Sequence, residues 1–112
     1  MDVTVVLPCY QAAAYLRETL DCLPAGVEAI AVDDASTDET AAILHAWQAE
    51  DSLHRKVITH AQNRGLGATR NTGWQQATSE WILFLDADDL LEVGWDRALE
   101  AYLQHAAPSS WL

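Results

Sequence analysis

Four short, continuously apolar runs alternate with helix-forming segments along this chain, and that alternation restricts the fold more than any other feature. Val3 to Leu7 is β-branched and apolar, and Pro8 is expected to stop it. Val27 to Val32, the short Val57 to Thr59, and Trp81 to Leu85 repeat the pattern. Ala12 to Leu23 carries Leu16, Leu20 and Leu23 on one helical face, and Pro24 and Gly26 end it. Ser36, Thr37, Asp38 and Glu39 form an S-x-x-E capping box that opens a helix through about Ala49, with Leu44 and Trp47 inside. Ala68 to Ala77 reads as a weaker helix because of Thr69, Thr72 and Gly73. Trp95 to Leu103 places Trp95, Leu99, Tyr102 and Leu103 on one face. Continuous apolar strands between helices predict an α/β fold, a Rossmann-like parallel sheet with helices on both faces and right-handed crossovers. In such sheets ligands bind beyond the carboxyl ends of the strands, where strand order reverses.

The 112 residues amount to one domain, with no repeat, low-complexity tract or linker. Half of them are apolar, which excludes a disordered tail. Six Lys and Arg face 17 Asp and Glu, a formal charge of −11. That balance argues against nucleic acid, or an anionic membrane, bound through a broad basic surface. A phosphate ligand stays compatible, because a divalent cation reverses the local field. Cys9 and Cys22 make neither a disulfide framework nor a metal site, and both read as small buried thiols. They fit a reduced, cytoplasmic compartment. The strongest apolar runs are far too short to span a bilayer, so no transmembrane segment is expected in this chain. The N-terminus begins on an acidic residue and a strand, so no signal peptide is expected either. Attachment at the inner face of the membrane through another segment stays open.

The strand ends are the places to search. The first run leads into Pro8-Cys9-Tyr10-Gln11, the second into Asp33-Asp34-Ala35-Ser36, and the fourth into Asp86-Ala87-Asp88-Asp89. Five carboxylates thus follow two strands, and neighbouring strands would put them on one rim. Like charges repel and lose hydration when buried, so stability gives little reason to collect them. Mg²⁺ or Mn²⁺ would remove the conflict, since both take oxygen ligands and often bind one or two carboxylates plus substrate phosphates. The plainer reading makes the same aspartates turn residues and helix caps, and for Asp34, Ser36 and Asp38 it carries equal weight. Asp33 also has the position from which doubly wound folds bind a base or ribose. Asn63, Arg64, Gly65, Gly67, Arg70 and Asn71 form a second cluster, in which glycines allow close backbone approach and Arg70 can pair with phosphate or with the acidic rim. His45, His54, His60 and His105 form no H-x-x-x-H pair and read as ordinary surface or core histidines. Trp47, Trp81 and Trp95 read as core, and Trp74 as partly exposed.

Taken together, these stretches resemble the nucleotide-binding half of a family 2 glycosyltransferase with the GT-A fold. The matching segments are Val5-Val6-Leu7-Pro8-Cys9-Tyr10, Val32 through Asp38, Asn63 through Gly73, and Phe84-Leu85-Asp86-Ala87-Asp88-Asp89. The resemblance implies that residues 1–112 are the donor-binding half of a GT-A domain, incomplete as it stands. It implies that Pro8 and Tyr10 line the nucleotide pocket and that Asp33 hydrogen-bonds the base. Asp86, Ala87 and Asp88 would form the D-x-D motif, with Asp88 a direct ligand of Mg²⁺ or Mn²⁺ and Asp86 a metal ligand nearer the ribose. Arg70 would face the nucleotide or brace the acidic rim. The partners implied are a nucleoside-diphosphate sugar and an acceptor saccharide or lipid-linked glycan, as in the making of cell-envelope polysaccharide.

Two positions depart from the pattern, Gln11 where Asn is common and Ala35 where Gly is common. In the family the catalytic base and the acceptor surface follow the D-x-D motif by a long way. Glu92, Asp96 and Glu100 fall in or near the last helix, and none is assigned as the base. A partial enzyme that retains donor binding, with the sheet one edge partner short, is therefore expected. A non-catalytic nucleotide-sugar-binding module remains the alternative. A phosphorelay receiver domain is the remote one, since it would place its acidic pair after the first strand and a lysine near its end.

Overall fold

The computed structural model describes residues 2–87. The expected helix at Trp95 to Leu103, together with Asp88 and Asp89, lies outside the described residues. Seven elements follow in strict alternation: β1 (Val3–Cys9), α1 (Leu16–Asp21), β2 (Glu28–Asp33), α2 (Thr40–Glu50), β3 (Arg55–Thr59), α3 (Leu66–Gln75) and β4 (Trp81–Phe84). The strands pair in parallel in the order β3-β2-β1-β4. The order runs outward from β1 to β3 and then reverses to place β4 on the other side of β1. The reversal falls between β1 and β4.

Strand alternation sorts the sheet into two covered faces. Val5, Leu7, Cys9, Ala29 and Ala31 join Leu16, Leu20, Leu44 and Trp47 in one core beneath α1 and α2. Val6 and Val32 point the other way, toward α3. There Gly73 permits the contact, since a Cβ at this position would collide with Val6 Cγ1 and lie 3.3 Å from Val32 Cγ2. A residue that weakens the helix by propensity is thus the one that lets α3 lie flat on the sheet. Leu44 is wholly buried, and its truncation to Ala would cost roughly 2–5 kcal/mol.

Several boundaries differ from expectation for identifiable reasons. β1 continues through Pro8 to Cys9, in register with Val32 and Asp33. Cys9 O accepts from Asp34 N at 2.9 Å on the β2 side, whereas Val6 O accepts from Leu85 N at 3.0 Å on the β4 side. Parity turns Pro8 toward β4, whose pairing ends at Val6↔Phe84, so the missing N–H removes no ladder bond. The S-x-x-E box does not cap α2. Glu39 precedes the helix, and Asp38 Oδ1 accepts from Thr40 N at 2.9 Å instead. Ser36 turns away and accepts from Gln11 N at 2.9 Å. α1 is shorter than expected, β3 is longer, and Cys22 is half-buried rather than buried. Trp47 and Trp81 are buried, and Trp74 is exposed.

Candidate functional site

The carboxyl ends of β1, β2 and β4 and the start of α3 enclose a cleft of about 320 Å³. Pro8 and Cys9 come from β1 and Tyr10 from just past it, Asp34 follows β2, Asp86 and Ala87 follow β4, Gly65 precedes α3, and Leu66 and Thr69 come from its start. Tyr10, Tyr15 and Leu66 present exposed apolar surface at this end of the molecule. The cleft sits beside the strand-order reversal, where a doubly wound sheet opens.

The β2 side is built around Asp34, which is 3% exposed. Its Oδ1 accepts from Arg64 N at 2.8 Å and from His60 Nδ1 at 2.8 Å, and its Oδ2 accepts from Gly65 N at 2.9 Å. Burial alone would raise the Asp34 pKa. The hydrogen bonds from His60 and from the two amides, together with attraction to His60, outweigh burial and hold it below the usual carboxylate value. Gly65 sits at φ +92°, a conformation that any side chain would strain, and it delivers its amide to that carboxylate just before α3 begins. A second set of bonds ties the β1 and β2 loops together. Gln11 Oε1 accepts from Thr37 N at 2.6 Å, and Gln11 Nε2 donates to Thr37 Oγ1 at 3.0 Å. Ala35 takes φ +63°, which explains why glycine is common at this place in the family pattern.

The β4 side is looser. Arg70 Nη2 reaches Asp86 Oδ1 at 3.3 Å, with both side chains between two-fifths and half exposed. The guanidinium also lies 5.8 Å from the centre of the Phe84 ring. Thr19, buried in α1, donates from Oγ1 to Ala87 O at 2.6 Å and so anchors the chain just past Asp86. Cys9 is no nucleophile here. Burial first, and the nearby Asp33 charge second, push its thiol up to about 12.

Pro8, Tyr10, Asp86 and Ala87 are therefore brought to one cleft. Arg70 does not line the cleft but pairs with Asp86, which does. Asp33 does not border the cleft. Strand parity puts it on the face of Ala29 and Ala31, it is 1% exposed, and its Oδ1 accepts from Ser36 N at 3.0 Å. The acidic side chain that does border the cleft is its neighbour Asp34. The expected shared rim of five carboxylates is correspondingly narrower, since Asp33 and Asp34 are already bound by protein donors. Among the described residues no three His, Cys, Asp or Glu side chains converge as a cation site. Asp88 lies outside them. Sequence reasoning did not single out Thr19 or Tyr15, and it read His60 as ordinary. Only the proximity of β2, β3 and the 63–65 loop in space shows that His60 is tied to Asp34.

This arrangement defines a Rossmann-like α/β domain with a ligand cleft at its switch point. Residues 4–109 match the profile of Glycosyl transferase family 2, and the chain belongs to that family. Glycosyltransferase GlyA of Streptococcus pneumoniae is 34% identical over 94 residues, covering 80% of this chain and 13% of GlyA. Poly(ribitol-phosphate) beta-N-acetylglucosaminyltransferase TarS of Staphylococcus aureus is 34% identical over 98 residues, 81% of this chain and 17% of TarS. The crystal structure of TarS residues 1–349 with UDP superposes with a TM-score of 0.82 at 31% identity, over 93% of this chain and 32% of that one. A mannosyltransferase from Pyrobaculum calidifontis, in complex with GDP-Man and Mn²⁺, superposes at 0.81 and 30% identity, over 96% of this chain and 33% of the other. These matches establish the GT-A fold. The chain thus spans 13% of the length of GlyA and 17% of that of TarS. No helix among the described residues is long and apolar enough to cross a membrane.

Proposed function

We infer that the chain forms the donor-binding part of a metal-assisted, inverting glycosyltransferase. In that reaction an acceptor hydroxyl oxygen bonds to the anomeric carbon while the bond from that carbon to the nucleoside diphosphate breaks. The hydroxyl proton passes to a base, which no described residue supplies. The observation that carries the reading is the convergence of three parallel strand ends on one cleft, with Asp86 at its mouth.

Within this reading Tyr10 and Pro8 form the wall for the nucleotide, and Asp34 with the Arg64–Gly65 turn forms its polar edge. Asp33 shapes the turn beneath them. The α3 N-terminus lends that wall partial positive charge, and a ten-residue helix has a dipole large enough to matter. Only one Asp86 oxygen takes Arg70, and the other faces no protein donor among the described residues. Mg²⁺ and Mn²⁺ keep water and substrate phosphate as ligands and need only one or two protein carboxylates. Asp86, joined by Asp88, fits that donor set. A bound ion would supply charge to offset the departing diphosphate. Relatives bound to UDP and to GDP-Man with Mn²⁺ support the ligand class. The acceptor would be a cell-envelope polysaccharide or a lipid-linked glycan, and the poly(ribitol-phosphate) in the name of TarS supports the first of these. A chain with two cysteines and no disulfide framework in its sequence is consistent with a reduced, cytoplasmic setting.

Backbone-amide NMR of the ¹⁵N-labelled chain tests the assignment. Adding UDP- or GDP-sugars with Mn²⁺ should shift the amides of Tyr10, Gly65, Asp86 and Ala87 first. Shifts confined to the far ends of the strands, near Asp2, Glu28 and Trp81, would overturn it.

A further inference from the structure

His60 is a buried titratable side chain, among the described residues, that the proposed reaction leaves without a task. It follows β3 directly, is 7% exposed, and does not border the cleft. Its backbone N–H donates to Asp33 O at 2.9 Å, which extends the β2–β3 ladder by one bond. Its ring is engaged at both ends. Nδ1 lies 2.8 Å from Asp34 Oδ1, and Nε2 lies 2.8 Å from Thr72 Oγ1. The Thr72 hydroxyl also donates to Ala68 O at 3.0 Å, which fixes it against the body of α3. The ring therefore spans from α3 to the end of β2. Its Nδ1 is the only side-chain donor to Asp34 among the described residues. The other donors are the amides of Arg64 and Gly65, and Gly65 lines the cleft.

We propose that His60 is a positioning residue for the donor site: through Nδ1 it holds the Asp34 carboxylate, and through that carboxylate it holds the Arg64–Gly65 turn at the nucleotide wall. The proposal builds on the donor-site reading but has a structural half that stands without it. A carboxylate with two oxygens and three donors has its orientation determined. Removing the ring donor leaves the carboxylate held by the two amides alone, both from one turn, so its orientation and that of the turn lose the fixed point on the β3 side. The Thr72 contact sets the ring plane, so that Nδ1 meets Asp34 along its hydrogen-bond direction.

Two substitutions of similar size separate this role from mere filling of space. The side-chain nitrogen of Asn falls where Nδ1 was, and that of Gln falls where Nε2 was. His60→Asn should keep the bond to Asp34. His60→Gln should keep Thr72 and lose Asp34. Hydrogen exchange at the Arg64 and Gly65 amides of the ligand-free chain is the first readout. Exchange should be about tenfold faster in His60→Gln and close to wild type in His60→Asn. Thr72→Val, which removes the second contact together with the Thr72–Ala68 bond and leaves the bond to Asp34, should accelerate the same two amides by a smaller factor. It supplies the test should His60→Gln fail to fold. Equal exchange at these amides in both His60 variants, or no change in Thr72→Val, would overturn the proposal. Calorimetric titration with UDP and GDP in Mn²⁺ is the second readout, and affinity should follow the same order. Wild-type chain that binds neither nucleotide would refute the donor-site reading, while the exchange data would still decide the role of His60.

Discussion

The two acidic strand ends of the cleft are built in opposite ways. At the end of β2, Asp34 is buried and takes three donors, and His60 ties it to α3. At the end of β4, Asp86 is half-exposed and, among the described residues, meets one long contact from Arg70. A carboxylate saturated by its own protein is poorly placed to lead a cation, but it can hold a wall in shape. A carboxylate that keeps an oxygen free, with a weakly held exposed partner, can exchange that partner for an ion. Within the proposed donor site, the contrast gives rigidity to one half of the cleft and chemistry to the other.

The largest break in that contrast should come from Asp34→Ala. It strips the partner from a buried histidine and from two amides at once, and should cost about 3–5 kcal/mol in urea denaturation. The same carboxylate gives a pH signature. Its folded pKa lies below the ordinary 3.8, so its contribution to stability is complete above the unfolded value and is lost as pH falls through the folded one. The urea midpoint should therefore drop on acidification below about 3.8, less steeply in Asp34→Asn than in wild type.

Thr19→Val should come next. It leaves the buried Ala87 carbonyl without its donor, a loss of roughly 1–3 kcal/mol, and it should also weaken nucleotide binding because the Asp86 segment loses its anchor. Unchanged binding would separate that anchor from the site. Ala35→Gly should raise stability by about 1 kcal/mol, since only glycine takes φ +63° without strain. A destabilised glycine variant would show that the loop is held by something other than its backbone.

The frame of this molecule was legible because each strand writes its own burial. Val3 to Leu7 and Val27 to Val32 are β-branched runs that only a covered sheet accommodates, and the residues just past them had to form the ligand end. What escaped notice depends on contacts between distant segments. Pro8 looked like a stop because its tolerance depends on where β4 ends. Gly73 looked like a weak point because its reason lies on Val6. Asp33 looked like the cleft-facing member of its pair, and only strand parity together with the loop at residues 63–65 puts Asp34 at the cleft instead. His60 belongs to no motif, and its partners lie 26 and 12 residues away. Thr19 meets a carbonyl 68 residues further on.

The most direct test of the account is calorimetric titration of UDP and GDP into wild type and Asp86→Ala, with Mn²⁺ and with EDTA. Asp86 is exposed enough that its removal should change stability by no more than about 0.5 kcal/mol, so a change in binding would not reflect unfolding. The account predicts saturable binding by wild type in Mn²⁺ that is lost in EDTA and lost in Asp86→Ala. Equal affinity with and without the metal, or full binding by Asp86→Ala, would contradict it.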